Sequence, residues 1–229
     1  MSERRRGRVH DAEGAREAIL NAAGEAFAHK GFDGARIDAI AEAAGYNKSL
    51  IFHYFEDKLG LYTAVLRRQR EQGEQFLAKI ITPLISDVAI SHDADTFRAF
   101  LEAAVGSTFD YFLAHPQILH ILAWEAAEGW KTTTKIIKLM QLDLGSVDRF
   151  KSILYQAQAK KLIRPDYDTS MIFIMALSIC QSYLTSIPRY QFLFKDDHLS
   201  SPEALARARE QIVRFVIHGT MADPPEAKL

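Results

Sequence analysis

A chain of 229 residues is long enough for one large domain or two small ones, and should bury about 70% or more of its unfolded surface. Its 48% hydrophobic and 25% charged content is that of ordinary globular protein, and a net charge of −1 excludes a uniformly basic nucleic-acid binder, so any DNA footprint must be local. The single cysteine, Cys180, excludes an intrachain disulfide and a cysteine-based zinc site, and makes a reducing, cytoplasmic location the default.

Residues 1–10 read as a basic flexible arm, with Arg4, Arg5, Arg6 and Arg8 set against Glu3. It is either a solubilising tail or an arm lying along phosphates or in a minor groove. No apolar run follows it, so a secretory signal is not expected. Asp11 to Lys30 is predicted helical, with Ile19, Ala22, Ala23, Ala26 and Phe27 in one stripe and Gly31 at its C-cap. Phe32 to Arg36 connects to a short helix from Ile37, in which Ile37, Ile40, Ala41 and Ala44 fall at i, i+3, i+4 and i+7. Gly45 ends it, and Asn47 is a good N-cap for a second short helix, Lys48 to Phe55. Asp57 caps the next helix, Leu59 to Ile81, which Pro83 is expected to stop.

A polar connector, Thr82 to Asp95, precedes a helix from Thr96 to Ala114 with Phe97, Phe100, Leu101, Ala104, Val105, Phe109 and Phe112 on a broad apolar face. Pro116 suits the first turn of a helix running to about Glu128, closed by Gly129. One long helix is then predicted from Thr132 or Thr133 to Lys161, through Ile136, Leu139, Met140, Leu144, Val147, Phe150 and Leu154. Arg164-Pro165-Asp166 breaks the chain before a helix from Asp168 to Ile187, stopped by Pro188. Its longest apolar run, Met171 to Cys180, is too short to span a bilayer and suits a buried helix. Ser201-Pro202-Glu203 opens a last helix to about His218, with a frayed tail beyond. No strand alternation, repeat or low-complexity segment interrupts this pattern, which predicts an all-α chain: a helix-turn-helix domain over 11–66, a larger helical domain over 67–220 and a tail, 221–229.

The segment Ile37 to Lys58 organises the rest. Ile51 and Phe55, four apart, point inward, which leaves Lys48, Ser49, Phe52 and His53 on an outer face. A polar and aromatic face beside a tight turn has helix-turn-helix geometry, with the second helix as the reader of DNA. Lys48, Ser49 and Leu50 occupy the first turn, where base edges are met; lysine can donate to guanine O6 or N7 and leucine can touch a thymine methyl. His53 and Tyr54 carry polar tips able to reach phosphate, although Tyr54 equally reads as a packed tyrosine with its hydroxyl outward. Lys58, at the positive N-terminus of the following helix, is the expected phosphate anchor. Arg36 is either a phosphate contact or a solvated surface arginine. Asp38 complements the dipole of its helix but would repel a nearby phosphate. Arg67, Arg68 and Arg70 make a basic patch expected to be a solvated face.

The run Ala41, Ala44, Gly45, Lys48, Ile51, Phe52, His53, Tyr54, Phe55 and Lys58 resembles the tetracycline-repressor (TetR) family of bacterial transcription regulators. Ala22, Ala23, Phe27, Gly31 and Phe32 match the family's first helix and the glycine-aromatic turn after it. The resemblance spans about Ala15 to Leu66. It implies a DNA-contact set of Arg36, Asn47, Lys48, Ser49, Leu50, Phe52, His53, Tyr54 and Lys58, and repression as the usual mode. Two departures are visible: Ala35 and Arg36 stand where the family often has threonines, and Phe52 where it commonly has tyrosine, which removes a hydroxyl bond to phosphate.

A helix that is apolar all round must be covered on every side. A second copy is the expected cover for 168–187, pairing with 201–218 across a two-fold axis like the family's dimer. The alternative is complete burial within one chain. A small-molecule effector pocket is expected among aromatics mixed with a few polar groups, Phe109, Phe112, His120, Trp124, Tyr155 and Met175, against the plainer reading of these residues as core. Glu125 and Glu128 either face a cationic effector or lie on a solvated face. His115 and His120, five apart, are poorly spaced for a metal, and no cofactor is implied. The rival readings are a small all-helical enzyme and a protein-interaction module that does not bind DNA. Against the enzyme stand the lack of a Gly-rich phosphate loop and of a nucleophile elbow. Ser49 and His53 are i, i+4 neighbours, yet no carboxylate orients the base.

Overall fold

The computed structural model describes the backbone of residues 3–85, 93–140 and 145–222, and the side chains of 12–79, 93–138 and 147–222. The described residues form ten α-helices: α1 (Glu3–Gly34), α2 (Ile37–Ala44), α3 (Lys48–Phe55), α4 (Lys58–Ile85), α5 (Ala94–Ala114), α6 (Pro116–Ala127), α7 (Lys131–Met140), α8 (Gly145–Ala159), α9 (Thr169–Phe194) and α10 (Pro202–Thr220). A 3-10 turn, Asp197–Ser200, joins the last two. The one β-type pairing among them is an isolated antiparallel bridge between Ile163 and Met221.

The chain divides into two compact units. The first comprises Met1–Gln72 and Pro116–Leu142, the second Gly73–His115 and Asp143–Leu229. The first unit therefore runs past residue 66 to Gln72 and also takes in Pro116–Leu142. The head is completed by α6 and α7, which return to it from the middle of the chain. Apolar area is the reason: Ile121 of α6 and Ile136 of α7 are buried with residues of α1 to α4.

In the first unit the stripe predicted for α1 forms the floor of the core. Ile19, Ala23 and Phe27 repeat every four residues and are wholly buried, together with Ile40 of α2, Ile51 of α3 and Leu61 and Val65 of α4. Phe27 meets Tyr62 edge-on, with ring centroids 4.7 Å apart. The α1 backbone bends at Gly31 (φ 67°), under the indole of Trp124. The helix begins at Glu3 rather than Asp11, so the backbone of the basic arm is helical.

The turn between α2 and α3 follows from a single left-handed residue. Gly45 has φ 75° and ψ 23°; its amide donates to Glu42 O at 3.1 Å, and that of Tyr46 to Ala41 O at 3.0 Å. This is the paired bonding of a Schellman cap, and glycine adopts it without a Cβ penalty. Gly60, in the first turn of α4, is required for a different reason. A Cβ there would lie 2.0 Å from the carbonyl oxygen of Phe55, so only glycine lets α4 start so close to the end of α3.

In the second unit α5 is the centre. Phe97, Phe100, Leu101, Ala104, Val105 and Phe109 are buried along it, and it packs on α9 and α10. Arg209 of α10 grips Asp110 of α5 through Nε at 2.7 Å and Nη2 at 2.9 Å, the bidentate geometry a guanidinium offers a carboxylate. This bond holds the Arg209 pKa above its ordinary value. Cys180 is buried beside this pair, and burial pushes its thiol up to about 11, which leaves it unreactive at neutral pH.

Several boundaries differ from the sequence expectation. α4 continues past Pro83 to Ile85. A proline this near a C-terminus costs one bond to the carbonyl four residues back, which the last turn tolerates. α5 starts at Ala94, two residues early, because Asp93 caps it by accepting from Thr96 N at 2.8 Å. The single long helix expected over 132–161 is two elements, α7 in the first unit and α8 in the second. The side chains of Leu139, Met140 and Leu144, named along that expected helix, fall outside the described residues, as do 86–92 of the connector and 223–229 of the tail.

α9 also passes through its proline, Pro188, and runs to Phe194. The far end is held from outside: Gln191 Nε2 donates to Asp197 O at 3.1 Å and Ser200 Oγ at 3.0 Å, and Lys195 closes the helix in a left-handed cap. By length and composition this 26-residue helix could cross a membrane, with mean hydropathy 1.5 over its most apolar window. The ten-residue run Met171–Cys180, with Ser178 inside it, understated the length of apolar helix. In the fold α9 packs against α5, α8 and α10 through Ile172, Cys180 and Leu184.

Candidate nucleic-acid interface

The face in question is built by α2, α3 and the first turn of α4. Asn47 sits in the extended region, and its side chain accepts from Leu50 N at 2.9 Å, which satisfies one of the orphan amides at the start of α3. Asp57 does the same for α4, accepting from Gly60 N at 2.7 Å. Ile51 and Phe55 are buried beneath α3. Lys48, Ser49, Phe52 and His53 are exposed above it, the division expected from their spacing. Phe52 keeps 39% of its surface, which is unusual for a phenylalanine on a two-turn helix and leaves its ring free to meet an apolar group. Leu50 and Tyr54 are half-buried and packed against the core of the unit, so each offers only an edge outward. The His53 and Tyr54 rings lie 5.4 Å apart.

The cations are placed as follows. Arg36 stands at the N-cap of α2, extended, exposed and without a side-chain capping bond, as expected from the absent hydroxyl. Lys48 Nζ is 2.9 Å from Asp38 Oδ1 and 5.9 Å from the centre of the Phe52 ring. The hydrogen bond and charge of Lys48 hold the Asp38 carboxyl below the usual carboxylate range. Asp38 therefore answers a neighbouring lysine as well as the dipole of its helix. Lys58 is half-buried: it donates to Asp33 O at 3.1 Å and lies 4.9 Å from the Phe32 ring centre. This ties the start of α4 to the end of α1.

Support for this face comes from residues whose roles the sequence did not disclose. Arg68 is not solvated. Its Nη1 donates to Asn21 Oδ1 at 2.8 Å and pairs with Glu17 at 3.3 Å, and its Nη2 donates to Leu20 O at 3.1 Å, clamping α4 to α1. Glu125 neither faces a ligand nor solvent, being only 2% exposed. Its Oε1 accepts from the Tyr62 hydroxyl at 2.7 Å and its Oε2 from Thr133 N at 3.1 Å, so one carboxylate joins α4, α6 and the first turn of α7. Burial, then this bond, push the Tyr62 phenol far above its ordinary pKa. Trp124 donates from Nε1 to Ala28 O at 3.2 Å. A charged residue on an apolar helix face was the available signal for Glu125; its partner lies 63 positions away and cannot be read locally.

The six candidates for an effector pocket are not gathered in one unit. His120 and Trp124 belong to the first, beside a shallow depression of about 350 Å³ lined with Ala28, His29 and Ala123. Phe109, Phe112, Tyr155 and Met175 belong to the second. There Phe109 and Phe112 are buried in the core, while Tyr155 and Met175 are 53% and 51% exposed. The neighbouring hydroxyl side chains of Thr169 and Ser170 hold the Tyr155 pKa below its ordinary value. Among the described residues no cluster of three metal-ligating side chains is present.

Residues 19–65 match the family model described as bacterial regulatory proteins, tetR family, and residues 98–216 match the tetracyclin repressor-like C-terminal domain. The chain belongs to the TetR family. It is 32% identical to the transcriptional repressor NicS of Pseudomonas putida over 77% of this chain and 78% of that protein. With the transcriptional repressor SCO4008 of Streptomyces coelicolor it shares 35% identity over 52% of this chain and 54% of that one. Among solved structures, SCO4942 of Streptomyces coelicolor superposes with a TM-score of 0.63 at 25% identity, covering 90% of this chain and 98% of that one. The all-α architecture and the helix-turn-helix are thus those of a TetR regulator, and the chain is a DNA-binding transcriptional regulator. TetR regulators bind operator DNA and small-molecule effectors and act as dimers.

Proposed function

We propose that this TetR regulator is a cytoplasmic homodimeric repressor that reads a palindromic operator with α3 and is released from it by a small molecule. The observation that carries this reading is the outer face of α3. Lys48, Ser49, Phe52 and His53 stand exposed on a capped, two-turn helix whose other side is fixed in a core. Lys48, Ser49 and Leu50 meet base edges, with Leu50 presenting only the part of its side chain left uncovered. Asn47 holds the helix start, Phe52 packs on sugar or a thymine methyl, and His53, Tyr54 and Arg36 reach phosphates. Lys58 contacts phosphate with the donors that its bond to Asp33 leaves free.

Dimerisation runs through about 168–187 and 201–218. The support is the exposed apolar surface of these helices, Met171, Ile174 and Met175 on α9 and Phe215 on α10. Two copies then present α3 twice, roughly 34–36 Å apart, to successive major grooves. The effector lies in the second unit, against the aromatic side of α5 at Phe109 and Phe112 and reaching Tyr155 and Met175. Trp124 serves instead to seat α6 on α1 through its bond to Ala28 O; His120 lies exposed beside it. Release requires the effector to prefer a conformer whose α3 helices are out of groove spacing, and it can weaken DNA binding only by that differential affinity.

The experiment is selection of duplexes from a randomised library by the full-length protein, followed by footprinting of the winner. An inverted repeat protected on one face, with affinity falling steeply as salt rises, is the expected result. Selection of no sequence, or of a single half-site bound by a monomer, overturns the reading.

A further inference from the structure

We propose that Asp38 sets the sequence specificity of the α3 face, by holding the Lys48 ammonium back from the phosphate backbone until a base edge competes for it. The inference rests on α3 being the base-contacting helix. Asp38 lies in the first turn of α2 and Lys48 in the first turn of α3, so the pair spans the Gly45 turn, with ammonium and carboxylate at 2.9 Å. Both side chains are open to water, 47% exposed at Lys48 and 73% at Asp38. An ion pair so exposed is weak and exchanges readily. It can hold a lysine in place without locking it there.

An ammonium has three donors and no acceptor. Asp38 engages one, and the two left over match the two acceptors that guanine shows in the major groove, O6 and N7. With the Phe52 ring bordering the same ammonium at 5.9 Å, Lys48 is oriented before any base arrives. Toward phosphates the same pair acts in the opposite direction. Non-specific binding is almost wholly charge neutralisation, and a lysine partly neutralised by its own carboxylate adds less to it. Arg36 also lies close enough for its charge to draw the Asp38 carboxyl down, so the carboxylate tempers a second cation on this face. Asp38 thus lowers the affinity for wrong sequences more than for the right one, which is specificity gained by a repulsive element.

The test uses the full-length protein, a duplex that it selects from a randomised library, and a scrambled duplex of equal length, each titrated with salt. Asp38→Asn is expected to tighten binding to the scrambled duplex about tenfold near 0.1 M salt and to steepen the log–log salt slope by about 0.9, the value of one further phosphate neutralised. The selected duplex gains less, so the specificity ratio falls. In a Lys48→Ala background the same change should leave the ratio where Lys48→Ala alone puts it. Equal gains on both duplexes, or an undiminished loss of ratio without Lys48, overturn the proposal while leaving α3 as the reader. A wild-type protein that selects no duplex overturns α3 as the reader, and this proposal with it.

Discussion

α3 and α9 both leave much of their surface uncovered, and they do it with opposite chemistry. α3 exposes a lysine, a serine, a histidine and one aromatic ring above a buried Ile51 and Phe55. α9 exposes Met171, Ile174 and Met175, and at its far end Phe192, 83% exposed, with Leu193 and Phe194. Water covers the first face at little cost, so α3 can wait uncovered for a polyanion. The second face loses free energy in water at roughly 25 cal/mol per Å² of apolar surface, a cost that the second copy of the proposed dimer would remove. On the proposed reading, one fold carries a polar face for a transient partner and an apolar face for a permanent one.

The strongest way to break this contrast is to make the second face resemble the first. Met171→Asp combined with Ile174→Asp should leave a folded monomer by analytical ultracentrifugation, and lower affinity for a two-half-site duplex by about 10²–10⁴-fold through lost avidity. A dimer that survives both changes would move the interface elsewhere. Next in size, Phe27→Ala removes a fully buried ring from beneath the helix-turn-helix. It should cost about 3–5 kcal/mol in urea unfolding, felt in the first unit. Asn47→Ala removes the cap of α3 and should cost about 1 kcal/mol, read as lower helicity and a lower Tm, with DNA affinity falling in step. The smallest effect is expected from Lys58→Ala, which should weaken all sequences alike and reduce the log–log salt slope by about one, with the specificity ratio unchanged. A change of ratio there would give Lys58 a role in base reading.

What could be read from the sequence was whatever is decided within a few residues. Gly45, Asn47 and Asp57 fix the ends of α2, α3 and α4 by bonds spanning three to five positions, and each was legible from residue type alone. The stripes of α1 and α5 were legible for the same reason, since a 3.6-residue period is local. The misreadings share the opposite cause. Pro83 and Pro188 are helix breakers by intrinsic preference, yet α9 is carried past its proline by Gln191 reaching Asp197 and Ser200. Glu125 looked solvated because charged residues seldom lie fully buried. Two partners, one of them 63 positions away, make its burial tolerable. Lys48 and Asp38 were each noticed but not paired, because their meeting depends on how two helices cross. The effector site was the least legible part, since core aromatics and ligand-facing aromatics have the same spacing.

The return of Pro116–Leu142 to the head has a consequence for how the protein is born. A ribosome that has released residues 1–72 has made the reader helix but not Ile121, Ile136 or the carboxylate that receives the Tyr62 hydroxyl. At roughly 5–20 residues per second, the nascent head waits seconds for those pieces, while the second unit's first segment, Gly73–His115, emerges in between. The DNA-reading end therefore cannot mature ahead of the rest: the chain must be two-thirds made before it has a finished hand to offer a promoter.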